Sequence, residues 1–108
     1  MNEKWTKSQK VHARRLFDLA LSREYDALIS TINSMEIKNP DEVWELYEML
    51  DEKRKELNDK YDYRYSRLIF VFALLVRGGY LSLEELDPIG EEKQKQIENM
   101  VNFKGFES

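Results

Sequence analysis

From Asp41 to Arg77 the chain runs for 37 residues without a glycine or a proline. One straight helix of that length would be about 55 Å long. The whole chain has only 108 residues, and a compact domain of that size has a radius of gyration of about 13 Å. So small a globule cannot wrap such a rod, so the segment must protrude, bend or pair with a second copy. The stretch KYDYRYS, Lys60 to Ser66, has the weakest helix propensity within it and is the expected bend.

The start of this segment is explicit. Asn39 reads as an N-cap, Pro40 suits the first helical position, and Asp41 and Glu42 bring negative charge to the positive helix end. From there Val43, Tyr47, Leu50, Arg54, Leu57, Tyr61, Arg64, Leu68, Val71 and Leu75 recur at steps of four and three. That is a heptad-like seam with two arginines in it. An earlier helix is marked by Leu16/Phe17, Ala20/Leu21, Leu28, Ile32 and Met35, with Glu24 interrupting its apolar stripe. Ser8 or Thr6 would cap it, and Ile37-Lys38-Asn39 ends it. This first helix can cover one side of the second. The aromatic and arginine positions left over suggest an isologous homodimer, the commonest oligomer; a monomeric hairpin with exposed aromatics is the alternative.

The run LIFVFALLV, Leu68 to Val76, is apolar all round but spans only about 13 Å as a helix, far short of the roughly 30 Å of a bilayer core. It reads as a core helix packed on both faces, or locally as a buried strand. No partner strand is visible, so helix is preferred, ended by Gly78-Gly79. Ser82 and Glu85 form a further capping box, and Asp87-Pro88 is expected to start a final helix with Ile89, Ile97, Met100 and Val101 as its apolar positions. The expected fold is all-α: a single domain over 1–108, with long first and second helices forming an elongated antiparallel body (about 8–64), a small helical head (about 65–101) and a frayed tail (102–108).

Composition removes several function classes. There is no cysteine, and the one histidine, His12, lacks the partners of a nucleophilic or zinc site. No glycine-rich phosphate loop occurs, and the carboxylates alternate with lysines and arginines at helical spacing, as on a solvated face. The net charge of −4 is distributed as +2 over 1–38, −5 over 39–62, +3 over 63–80 and −4 over 81–108, which leaves no continuous basic stripe for nucleic acid. No signal-peptide core opens the chain, and the cytoplasm is the expected location. The chain does not read as an enzyme, and neither cofactor nor metal is expected.

What remains is VWELYEMLDEKR, Val43 to Arg54. On a helix Trp44, Tyr47, Glu48 and Asp51 share a face, and Arg54 lies three residues beyond Asp51. Trp, Tyr and Arg dominate interface hot spots. Packing of Trp44 on the first helix as core is the slightly preferred reading at this stage.

The stretch DEVWELYEMLDEKRKELNDKYDYRYSRLIFVFALLVRGGYLSLEEL resembles the fluorescence recovery protein family of cyanobacterial photoprotection. The resemblance rests on Asp41, Trp44, Leu46, Leu50, Lys53-Arg54, Glu56, Lys60-Tyr61-Asp62, Arg64, Ile69 to Ala73, Leu75, Gly79 and Glu84-Glu85-Leu86, with Ala13, Leu16-Phe17 and Arg23-Glu24 upstream. It implies an all-α homodimer without a chromophore that binds the C-terminal domain of the photoactivated orange carotenoid protein. Such a protein speeds return to the inactive orange form and helps release that partner from the phycobilisome. It implies Trp44, Glu48 and Arg54 as contact residues, and Phe70 in the head. With Tyr47, these are the expected partner-binding residues. The expected dimer interface is Leu28, Ile29, Val43, Trp44, Tyr47, Leu50 and Arg54. The chain departs from the family pattern where Tyr47-Glu48 replaces His-Asp, and where Arg77-Gly78-Gly79 replaces Lys-Glu-Gly. These departures suggest a divergent branch, and a homologous helical interaction module with another soluble partner is the alternative function.

Overall fold

The computed structural model describes residues 4–105. Its elements are α1 (Lys7–Asn33), α2 (Pro40–Lys60), α3 (Leu68–Arg77), a 3-10 turn (Glu84–Ile89) and α4 (Glu91–Asn102). No strand occurs among the described residues.

Helix α1 starts at a complete capping box. Thr6 Oγ1 accepts from the Gln9 amide at 3.1 Å, and Gln9 Oε1 accepts from the Thr6 amide at 2.9 Å, so Thr6, not Ser8, is the cap. The helix stops at Asn33, short of the Ile37-Lys38-Asn39 break read from the sequence. Ser34 ends it: its hydroxyl donates to the Thr31 carbonyl at 2.8 Å, the competition for backbone groups that short polar side chains offer. Met35 therefore lies in the connection, exposed. Asn39 caps α2 through Oδ1, which accepts from the Glu42 amide at 3.0 Å; Glu42 reaches back one residue past the cap to the Lys38 amide at 2.8 Å.

The Gly/Pro-free segment does not remain one helix. It breaks after Lys60, inside KYDYRYS, and resumes at Leu68. The cause is aromatic. In an extended chain alternate residues face one way, and Tyr61, Tyr63 and Tyr65 all turn to α1 and the residues before it. Tyr61 and Tyr63 meet Phe17 edge-on at 5.2 and 4.8 Å, and Tyr65 meets Trp5 at 6.0 Å. Arg14 stands over the Tyr63 ring at 4.6 Å. A helix would have put Tyr63 on the side opposite Tyr61 and Tyr65. The heptad-like seam accordingly ends at the break: Arg64 pairs with Asp62 two residues away, and Leu68, Val71 and Leu75 lie in the interior.

The core is built from Ala13, Leu16, Phe17 and Ala20 of α1, Leu68, Val71, Phe72, Ala73 and Leu75 of α3, and Leu81, Leu86, Ile89 and Ile97 beyond it. Helix α3 is thus covered on several sides, as its all-round apolar sequence requires. Gly79 at φ 86° closes it in the left-handed conformation, and the amides of Tyr80 and Leu81 return to the Leu75 carbonyl. The Ser82–Glu85 box forms reciprocally, at 2.9 and 3.2 Å.

Asp87-Pro88 does not start the final helix. Both belong to the 3-10 turn, as does Ile89, and α4 begins at Glu91. Gly90 separates the two at φ 102°, a conformation no helix continues through. The expected tail at 102–108 begins one residue early, since Asn102 still belongs to α4, and its last three residues lie outside the described ones.

Helix α2 stands apart. It buries a single residue, Leu57, and it runs back along the second half of α1 as an antiparallel arm. The molecule measures 52 × 29 × 22 Å with a radius of gyration of 16.3 Å, well above the roughly 13 Å of a compact chain this long.

Candidate partner-binding surface

The helical wheel of α2 explains what the arm exposes. Relative to Trp44, the positions of Lys53 and Lys60 lie on the opposite side of the helix, whereas Tyr47, Asp51 and Arg54 fall within about 80° on its own side. Helix α1 occupies the lysine side. Glu24, 1% exposed, accepts from Lys53 Nζ at 2.8 Å and Lys60 Nζ at 2.7 Å on Oε2, and from the Tyr61 hydroxyl at 2.8 Å on Oε1. Burial alone would raise the Glu24 carboxyl pKa, but these three donors outweigh it and hold the group below the usual carboxylate range. Burial and the Glu24 carboxylate together push the Tyr61 phenol well above its ordinary range.

With α1 on the far side, the Trp44 face is left to solvent. Trp44 is 63% exposed, Tyr47 60% and Val43 46%; on α1, Ile29 is 52% exposed. Trp44 and Tyr47 touch edge-to-face, with ring centroids 6.1 Å apart. Tyr47, Leu50, Asp51 and Arg54 line a shallow hollow beside them. The core reading of Trp44 is therefore overturned: within the protomer its side chain is mostly in solvent. Glu48 is exposed on the same helix, but it does not pair with Arg54. Six residues of separation put the two about 120° apart around the axis, so a bridge between them requires a second chain. Leu28 and Leu50 are half-buried, and Leu28 lines a cleft between the two helices with Met49.

Phe70 lies elsewhere, in the head. It is half-buried, its ring beneath the Arg67 guanidinium at 4.8 Å. With Leu74 and Tyr80 it floors a 610 Å³ cleft whose other wall carries Lys53, Glu56 and Lys60 of the arm, with Glu24 at its base. The Glu24 cluster thus lies between arm and head, on the side of α2 turned away from Trp44. That cluster is not legible in the sequence, because a carboxylate inside an apolar stripe reads as an interruption. The signal that could have found it is the pair Lys53 and Lys60, seven residues apart on one helical face.

Among the described residues no group of three or more histidines or carboxylates is arranged to hold a metal ion, and no helix is long and apolar enough to cross a membrane. His12 lies on α1, with Nδ1 buried.

Residues 5–101 match the family described as photoprotection regulator fluorescence recovery protein. The chain belongs to the fluorescence recovery protein family. It is 38% identical over 101 residues to the fluorescence recovery protein of Synechocystis sp., a match spanning 92% of this chain and 93% of that one. The solved structure of the Fremyella diplosiphon fluorescence recovery protein superposes with a TM-score of 0.87 at 35% identity, covering 93% of this chain and 100% of the other. That of the Synechocystis sp. PCC 6803 protein superposes with a TM-score of 0.86, also at 35% identity and with the same coverage of both chains. The all-helical fold is the fold of this regulatory family.

Proposed function

We propose that this chain is a non-enzymatic regulator that binds the photoactivated orange carotenoid protein through its C-terminal domain. It accelerates return to the inactive orange form and so ends energy quenching at the phycobilisome, in the cytoplasm and without a cofactor. The exposed Trp44–Tyr47 face with Arg54 beside it is the observation that carries the reading: a tryptophan and a tyrosine are held in water by a helix whose other side is already occupied. Surfaces of this composition supply interface hot spots. Phe70 and Glu48 join them as contact residues. A protein of this kind speeds a partner's conformational change by binding the transition state better than the open ground state.

Self-association uses this face together with residues of α1. Ile29, Val43, Trp44, Tyr47 and Arg54, with the half-buried Leu28 and Leu50, form the proposed homodimer interface, in which Glu48 of one protomer can reach Arg54 of the other. Binding is tested by co-elution with the isolated C-terminal domain of the carotenoid protein on size exclusion. Co-elution that Trp44→Ala abolishes supports the reading, and separate elution of wild type and domain opposes it.

One observation favours a second reading. Tyr47-Glu48, which departs from the family pattern, sits in the middle of the exposed face. A homologous interaction module with a different soluble partner would change these positions first.

A further inference from the structure

Arg23 and Glu24 are consecutive on α1, so their side chains leave the helix about 100° apart. Arg23 turns to the head, where its guanidinium donates to both Glu85 oxygens, at 2.8 and 2.7 Å, and to the Tyr80 carbonyl at 3.0 Å. Glu24 turns to the arm and takes Lys53, Lys60 and Tyr61. Helix α2 buries only Leu57, so apolar packing does little to fix its angle. Two lysines converging on one oxygen from positions two turns apart resist both sliding and rolling of α2 on α1. Tyr61, the first residue after α2, holds the other oxygen and so fixes the point where the arm leaves the helix.

We propose that Glu24 is a positioning residue that locks the arm carrying Trp44 and Arg54 to the head carrying Phe70, so that both patches engage one partner at a fixed spacing. This rests on the partner-binding reading above. Two linked patches reinforce one another only while their connection holds them at the span of the two contacts. With the lock released, each patch still binds, and the joint grip that acts on domain closure is lost.

The chain has no cysteine, which makes site-specific spin labelling direct. Chains labelled at Glu45→Cys on the arm and Glu91→Cys on the head, diluted with excess unlabelled chain, report the distance within one protomer by double electron–electron resonance. Wild type is expected to give one narrow distribution. Glu24→Gln is expected to lose it while retaining the far-ultraviolet dichroism of the folded chain, an outcome that a merely stabilising role does not produce. Should Glu24→Gln fail to fold, Lys60→Met, which leaves Lys53 and Tyr61 on Glu24, is expected to broaden the distribution partially. An unchanged distribution in the folded variant overturns the proposal. In the partner assay Glu24→Gln is expected to lose about tenfold or more of the acceleration. If wild type itself accelerates nothing, the partner reading fails, and the distance measurement still decides the lock.

Discussion

Lys53 and Lys60 stand two helical turns apart on α2, and both place their ammonium groups on one atom, Oε2 of Glu24, at 2.8 and 2.7 Å. Removing the carboxylate leaves two partly buried cations facing each other, with only the more exposed Glu56 carboxylate, at 3.5 and 3.8 Å, as counter-charge. Such a loss costs about 3 kcal/mol, the low end for a buried pair, because the lysine side chains keep 22% and 15% of their exposure and can turn to water. Glu24→Ala is expected to lower stability by that amount in urea unfolding of the dilute chain. The surface pair Lys55–Asp51, 74% and 43% exposed, is expected to cost under about 0.5 kcal/mol when Lys55 is replaced by Ala.

The stability curve bends at both ends of the pH scale. The Arg23 hydrogen bonds, then the Ser82 amide, hold the Glu85 carboxyl at about 2, against 4.5 for the free group. Glu24 is also held low. A depressed carboxylate stabilises the fold above its unfolded pKa, and that contribution disappears as pH falls through the folded one. Loss is therefore expected to begin below pH 4.5 and to continue to about pH 2. Tyr61 is raised above its free value of 10, so its contribution is full below pH 10 and fades as pH climbs through the higher folded value. Urea midpoints against pH check both limbs, and Arg23→Gln should flatten the acid one.

Gly90 connects the 3-10 turn to α4 at φ 102°, and a Cβ there would lie 2.9 Å from Gln9 Nε2. That nitrogen donates to the Ile89 carbonyl at 2.8 Å, and the same side chain completes the Thr6 capping box. Gly90→Ala meets both the conformational penalty and this contact. It is expected to cost about 2 kcal/mol, read as a lowered urea midpoint.

Trp44 and Leu57 separate surface from core on one helix. Leu57 is 5% exposed and Trp44 63%. Leu57→Ala is expected to destabilise the protomer by about 2–3 kcal/mol, whereas Trp44→Ala should leave the dilute protomer within about 0.5 kcal/mol of wild type. Light scattering against concentration then reads association: wild type should weigh as a dimer and Trp44→Ala as the 13.0 kDa chain.

Much of the fold is written locally. Asn39-Pro40 marks a helix start by the chemistry of its orphan amides, Gly78-Gly79 marks a helix stop, and Ser82 with Glu85 closes its box as read. The break in KYDYRYS is legible as weak propensity, but its cause, three tyrosines reaching Phe17 and Trp5, is tertiary. Charges with long-range partners are the least legible. Glu24 reads as a flaw in a stripe, and nothing in the sequence marks Lys93 as buried. Lys93 is in fact 6% exposed, bonded to the Lys4 carbonyl at 2.6 Å and lying over the Trp5 ring. The left-handed turn at Gly90, which moves the start of α4 past Asp87-Pro88, has no signature beyond the glycine itself. Trp44 was balanced between core and surface because a helical wheel orders positions without saying which side a neighbour takes; Lys53 and Lys60 settle that.

The regulatory reading is decided in a cuvette. An orange carotenoid protein is converted to its red form by light, this chain is added in excess, and the return to orange is followed in the dark. Acceleration of about tenfold or more, equivalent to about 1.4 kcal/mol of preferential transition-state binding, is expected for wild type. Arg54→Leu should remove most of it while the helical dichroism persists. A relaxation rate that stays unchanged as the chain is raised to saturation would contradict the reading and leave this family member with another partner.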